Sequence, residues 1–495
     1  MSTDVQAITD RLDALPIRGL FGISGHYWGL LGKTGFGWAM DSMDTFLFTY
    51  LASVNGGWKF EIKPTTHQMS LLGSAAFAGS LVGAFTFGQL ADIYGRRNMF
   101  MVTLLIFMVG TLLCGAANSF ETMLAFRFLA GLGLGGELPV ASALVQEMVP
   151  TRVRGRIIVI LESFWSIGCM FAVLLAFELT KHVSWRTVFY LSAIPALWAV
   201  VIRFSVPESP KWLASVGRVG EANAIVEKIE AVHGVAVATG QVPVAHTTEA
   251  GGLWKYLKPQ DRIGLLFRGE FLARTIVLWT VWTGIAFSYY AIYVYLPIIR
   301  SKEVGGYNIN KSTWSIFFIV FWQLPGYISA SYLVEIIGRK ITLFVYLIGA
   351  FTSSLAFGYV ENTQRNLMIT GAFMSWFMLG AWGSLYAYTP ENYPTAIRAT
   401  GCSYPGGISR IGAIAGPYVM PIMIDAGWSA GAIMWVAGGV PLLLISIVLL
   451  VFGFETRGQD LEACPKIDAI LKAKFGDQEA KDFVVTPVVE AYEMK

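Results

Sequence analysis

Asp41, Asp44, Arg127, Glu137, Glu162 and Arg410 are charged residues set in stretches of sequence that are otherwise apolar. A charge in hydrocarbon costs roughly 2.5–3.5 kcal/mol on insertion scales, so each must face a partner or a polar cavity. Asp41 and Asp44 are three residues apart and share one face of a helix. Close carboxylates compete for one proton, and a carboxylate that is charged in one state and neutral in another is what proton coupling requires. Both are candidate proton carriers, Asp44 first; the structural alternative is an acid paired with a buried arginine. Arg410 lies among small residues in Gly407-Ile-Ser-Arg410-Ile-Gly412. It cannot lose its proton, and its planar fork suits a carboxylate in bidentate contact. That carboxylate belongs either to a bound anion or to the protein. Glu137 and Glu162 are candidates for a cavity role or for pairing with Arg410 or Arg127. Arg127 itself reads as structural.

Aromatic side chains accompany these charges. Glu162, Trp165 and Cys169 fall on one helical face, as do Trp282, Tyr289 and Tyr293, and Trp382 with Tyr386. Such stripes serve packing or interface belts in many membrane proteins. A flat ring could also stack between them. Trp165, Tyr289, Tyr290 and Trp382 are therefore candidate substrate contacts. Gln323, beside Trp322, adds an amide donor and acceptor.

The elements that must position these residues are membrane spans. The chain has 495 residues, 55% hydrophobic and only 14% charged, with a mean hydropathy of +0.57. A soluble surface needs about 25% charged residues, so lipid is the expected surroundings. Apolar runs long enough to cross a bilayer cover 33–55, 70–91, 98–118, 122–146, 155–180 and 186–206. They resume at 272–298, 311–335, 340–360, 366–389, 401–424 and 428–453. The expected division is a cytoplasmic N-terminal segment 1–32, a six-helix bundle 33–206, a cytoplasmic central loop 207–270, a second bundle 271–453 and a cytoplasmic tail 454–495. An even number of spans puts both termini on one side. Lys and Arg in the short loops are nearly balanced, and those of the central loop tip that side to the cytoplasm.

Three charged loop signatures recur half a chain apart. Asp92-Ile-Tyr-Gly95-Arg96-Arg97 returns as Glu335-Ile-Ile-Gly338-Arg339-Lys340. Glu147-Met-Val-Pro150-Thr-Arg-Val-Arg154 returns as Glu391-Asn-Tyr-Pro394-Thr-Ala-Ile-Arg398. Pro207-Glu208-Ser-Pro has its counterpart in Phe454-Glu455-Thr-Arg. A duplication this long, in a chain this apolar, points to a transporter built from two similar halves around a central site. The expected latches are Asp92/Arg96 and Glu147/Arg154, with Glu335/Arg339 and Glu391/Arg398 in the second half. The net charge of +3 gives no case for nucleic acid. The chain contains no Gly-rich phosphate loop for direct ATP drive. Cys114, Cys169, Cys402 and Cys464 have neither metal nor disulfide spacing. No metal, cofactor or enzymatic role is expected, and the oligomeric state is expected to be a monomer.

These motifs, in this order and spacing, resemble the major facilitator superfamily. Pro207-Glu208-Ser-Pro-Lys-Trp-Leu213 and Glu455-Thr-Arg-Gly458 resemble its sugar-porter and organic-ion branch. The resemblance implies an all-α protein of twelve transmembrane helices in two pseudo-symmetric six-helix bundles, with a central cavity and alternating access. Longer strings look like the bacterial niacin transporters: Gly133-Leu-Gly-Gly-Glu137-Leu-Pro-Val-Ala-Ser142, Glu162-Ser-Phe-Trp165, Gln323-Leu-Pro-Gly326 and Tyr388-Thr-Pro-Glu391-Asn-Tyr-Pro. The related aromatic-acid symporters carry an Asp-Gly-x-Asp pattern where this chain has Asp41-Ser-Met-Asp44. The central loop 207–270 is longer than that of the niacin group. The resemblance implies proton-coupled uptake of a small aromatic or heteroaromatic carboxylate, nicotinate favoured, across an inner or plasma membrane. Benzoate-type acids, a sugar or an organic ion, and a receptor that binds without transport are the alternatives.

Overall fold

The computed structural model describes residues 3–16, 23–54, 56–194, 205–235, 259–299, 312–393 and 395–456. Those residues are almost wholly helical and contain no strand. The first half holds α1 (Thr3–Asp13), α2 (Gly25–Ser53), the short α3 (Trp58–Ile62), α4 (Thr66–Tyr94), α5 (Arg96–Ala116), α6 (Phe120–Met148), α7 (Thr151–Phe177) and α8 (Trp185–Ala193). The central segment forms α9 (Pro210–Ser215), α10 (Val219–Val232) and α11 (Pro259–Leu266). The second half holds α12 (Gly269–Tyr295), α13 (Thr313–Phe321), α14 (Gln323–Ile337), α15 (Arg339–Tyr359), α16 (Gln364–Tyr388), α17 (Thr395–Asp425), α18 (Ala430–Met434) and α19 (Val440–Phe452). Among the described residues, nine helical stretches are long and apolar enough to cross a membrane. α2 and α6 match them in length, at 29 residues each, and carry four buried charges, Asp41, Asp44, Arg127 and Glu137. The expected span 186–206 is described over α8 alone, and 195–204 lie outside the described residues.

Helix starts follow two rules. α4, α6, α8, α13, α16 and α18 each begin behind a Ser or Thr whose side chain accepts a backbone N–H of the first turn: Thr65, Ser119, Ser184, Ser312, Thr363 and Ser429. α5 and α15 begin instead behind Gly95 and Gly338, at φ +98° and +97°. That turn excludes a side chain, which explains the glycine in both copies of the loop motif.

Three features depart from the expected spans. The first span begins at Gly25 rather than near residue 33. The eighth is interrupted between α13 and α14, where Pro325 removes an N–H from the ladder. The twelfth passes through a π turn at Trp435–Gly439, just before Pro441. The N-terminal segment is also structured. Ile8, Leu12 and Leu15 pack on Trp212, Leu213, Val226 and Ile229. Arg11 grips Glu230 at 2.6 and 2.8 Å and Asn223 at 2.8 Å. α1, α9 and α10 thus form a small helical cap.

Small residues set the helix spacing. A Cβ on Gly131 of α6 would fall 2.7 Å from the Ala76 Cα of α4. One on Gly168 of α7 would fall 2.9 Å from the Ala39 Cα of α2. Gly412 of α17 meets the backbone of Thr283 and Phe287 on α12 in the same way. The halves are tied by Ser74 Oγ, which donates to the Ile414 carbonyl at 2.8 Å, and by the Tyr50 hydroxyl, which donates to the Tyr293 carbonyl at 3.0 Å. Overpacking a close contact costs about 1–3 kcal/mol. Gly131→Ala should therefore lower the melting temperature in detergent by several degrees, whereas Gly29→Ala, with nothing within 4 Å, should leave it unchanged.

Candidate transport site

α2 carries two acids that meet different partners. Asp44 is wholly buried and accepts from Arg127 Nη1 of α6 at 2.6 Å and from Thr111 Oγ1 of α5 at 3.2 Å. The Arg127 guanidinium also lies 4.4 Å from the centre of the Phe48 ring. Asp44 thus has an arginine partner, and the pair fastens α2 to α6.

Asp41, one turn earlier, is equally buried. Its carboxyl lies against that of Glu137 from α6. Among the described residues, no N–H or O–H donor is within hydrogen-bond range of either carboxyl. Arg410 of α17, half-buried, acts on Asp41 and Glu162 through its charge and lies against the Tyr290 hydroxyl of α12. Trp38 of α2 faces Glu162 of α7. At 1.5 Å per residue, Asp41 and Arg410 lie about 24 and 22 Å along their helices, near the middle of each.

An aromatic wall adjoins these charges. Trp165 Nε1 donates to the Tyr289 hydroxyl at 2.8 Å. Tyr290 has its ring centre 4.5 Å from Phe77, 5.2 Å from Tyr289 and 6.3 Å from Trp165. Trp382 lies 6.1 Å from Tyr289 and 5.5 Å from Trp282. Tyr386 and Tyr327 share the surroundings of Glu162 and Tyr290. The structure therefore gathers Asp41, Glu137, Glu162, Arg410, Trp165, Tyr289, Tyr290 and Trp382 into one region, with Gln323 buried on α14. Sequence reasoning missed Trp38, Phe77, Thr111 and Tyr327. Trp38 stands three residues before Asp41 and Tyr327 four after Gln323, so helical spacing from a buried polar residue would have found both.

The loop signatures form two matching clamps. Arg96 pairs with Glu147 at 3.2 Å, and Arg339 with Glu391 at 2.8 Å. Glu208 accepts the backbone N–H groups of Arg96 and Arg97 at 3.0 and 3.1 Å. Glu455 does the same for Arg339 and Lys340 at 3.0 and 3.2 Å. Each acid caps a helix N-terminus, where the dipole favours an anion. Ser209 Oγ then donates to Glu147, and Thr456 Oγ1 donates to Glu391 at 2.7 Å. The pairing thus joins the expected sets across one another: Arg96 meets Glu147, and Arg339 meets Glu391. Glu335 faces Arg156 at 3.9 Å on an exposed surface, a contact worth little. Arg154 is half-buried at the start of α7. The side chains of Asp92 and Arg398 lie outside the described residues.

Membrane-spanning helices around a buried charge cluster, with paired ionic clamps at one face, define a multi-pass membrane transporter. The chain belongs to the family described as sugar (and other) transporters, whose model matches residues 28–467. Its fold is the all-helical major facilitator fold. The solved xylose transporter XylE of E. coli, in a partially occluded inward-open conformation, matches with a TM-score of 0.70 at 16% identity, covering 88% of this chain and 100% of that one. The niacin transporter NiaP of Acinetobacter baylyi is 39% identical over 461 residues, 92% of this chain and 99% of the relative. The organic cation/carnitine transporter 7 of Arabidopsis thaliana is 27% identical over 470 residues, 87% and 92% of the two chains.

Removing one partner of a buried ion pair costs about 3–5 kcal/mol, because the other charge is left alone. Asp44→Ala should therefore destabilise the protein by that order, and Asp44→Ala combined with Arg127→Met should recover a large part. Thermal unfolding of the four proteins of this double-mutant cycle measures the coupling.

Proposed function

We propose that the protein is a proton-coupled importer of small aromatic or heteroaromatic carboxylates, with nicotinate the leading substrate. The observation that carries this is the touching carboxyl pair Asp41–Glu137 beside Arg410. Two touching carboxyls are stable when one proton lies between them. The same pair competes with any arriving anion for the charge of Arg410. A proton on the pair frees Arg410 to take the substrate carboxylate in bidentate contact. Loss of that proton returns Arg410 to Asp41 and weakens its hold on the substrate. Substrate and proton thereby bind together.

Trp165, Tyr289, Tyr290 and Trp382 flank the ring, and Glu162 feels the charge of Arg410. The 39% identity to a niacin transporter supports nicotinate within this class. Asp44 is the less economical proton seat, because protonating it breaks its pair with Arg127. In this reading the halves 33–206 and 271–453 rock about the centre. The clamps of Arg96 with Glu147 and Arg339 with Glu391 set which arrangement is closed. The monomer sits in an inner or plasma membrane with both termini and the loop 207–270 in the cytoplasm.

Uptake of labelled nicotinate into proteoliposomes should rise with an inward proton gradient and collapse when the gradient is removed. Asp41→Asn should abolish gradient-driven accumulation yet keep exchange of internal for external nicotinate. If Asp41→Asn still accumulates nicotinate while Asp44→Asn only exchanges it, the proton seat is the Asp44–Arg127 pair and the assignment to Asp41 fails.

A further inference from the structure

Gln323 is fully buried, at 0% exposure, and among the described residues neither its Nε2 nor its Oε1 has a hydrogen-bond partner. A buried amide left unmet in this way is costly, so its persistence calls for a function. The residue also opens α14 at the interruption of the eighth span, one residue wide at Trp322, which stays in the right-handed helical region at φ −66° and ψ −7°. Pro325 offers no N–H to the carbonyl of Phe321, the last residue of α13. The break falls about 15 Å into the stretch from Thr313, close to the middle of a hydrocarbon core about 30 Å thick. A proline inside a helix at that depth is tolerated where neighbouring groups meet the freed carbonyl, and proline-interrupted spans point to substrate sites. Tyr327, one turn further on the same face, shares the surroundings of Glu162, Tyr290 and Tyr386. Gln323 therefore borders the region that holds Arg410 and the aromatic wall.

We propose that Gln323 is the specificity-determining residue that reads the ring nitrogen of a heteroaromatic carboxylate. The inference rests on the aromatic-carboxylate reading of the site. With the carboxylate on Arg410, the Gln323 amide donates an N–H to the lone pair of a nitrogen placed meta to the carboxylate, as in nicotinate. Benzoate offers a C–H at that position and leaves the donor unmet. A site built to satisfy a polar group on the ligand discriminates strongly against the analogue that lacks it. The proposal sets the donor at the meta position, so that an ortho or para nitrogen leaves it unmet. The indole Nε1 of Trp382 is also without a partner among the described residues and is the rival donor.

The test is competition against labelled nicotinate uptake by nicotinate, benzoate, pyridine-2-carboxylate and pyridine-4-carboxylate, using wild-type protein, Gln323→Leu and Trp382→Phe. In the wild type, nicotinate should compete about tenfold better than the other three acids. In Gln323→Leu the ratio of the benzoate to the nicotinate inhibition constant should fall to about one, whereas in Trp382→Phe, which loses a ring contact, both constants weaken and the ratio is kept. Retention of the full preference in Gln323→Leu, or its loss in Trp382→Phe alone, would overturn the assignment. Should Gln323→Leu not fold, thermal stabilisation of the wild type by the four acids decides: equal stabilisation by benzoate and nicotinate overturns it. Failure of every acid to compete or stabilise would overturn the aromatic-carboxylate reading itself.

Discussion

A charge far from water must be matched, and helices crossing about 30 Å of hydrocarbon have few ways to do it. The centre of this transporter shows two of them side by side on α2. Asp44 is matched by Arg127 at 2.6 Å and by a hydroxyl from Thr111. Among the described residues, Asp41 meets another carboxyl, that of Glu137, and the nearby charge of Arg410. The first arrangement is complete in itself and fastens two helices. The second has no such partner among the described residues, and the proposed function gives it a proton and gives Arg410 a substrate anion. One turn of helix separates an acid paired with an arginine from an acid set against another acid.

The rest of the fold serves that centre. Gly131, Gly168 and Gly412 let backbones approach closely enough for side chains on different helices to meet. Ser and Thr caps start the helices that enter from one face, while Glu208 and Glu455 cap α5 and α15 from across the other face. Because each of these acids is tied through Ser209 or Thr456 to the acid that holds Arg96 or Arg339, every clamp is a small network rather than a single exposed ion pair.

Much of this was legible in the sequence. The repeated loop signatures gave the two-fold design, because the same backbone turn needs the same glycine and the same acids in both halves. The intramembrane charges pointed to the central cluster, because a charge in hydrocarbon must meet a partner or a polar cavity. What was not legible is which charge meets which. Asp44 and Arg127 are neighbours only after α2 and α6 pack, and the Asp41–Glu137 contact depends on the same packing. The pairing of Arg96 with Glu147 escaped for the same reason: spacing along one loop suggests local partners, while the turn at Gly95 presents Arg96 to the end of α6. The docking of α1 on α9 and α10 likewise depends on an apolar face that only tertiary structure brings together.

The most direct measurement is the internal pH of proteoliposomes, followed by a trapped dye, as external nicotinate is added without any imposed gradient. Coupled entry through the Asp41–Glu137 pair should acidify the interior in the wild type. It should leave Asp41→Asn vesicles no different from protein-free ones. Entry of labelled nicotinate into wild-type vesicles with no change in internal pH would contradict proton coupling at this site.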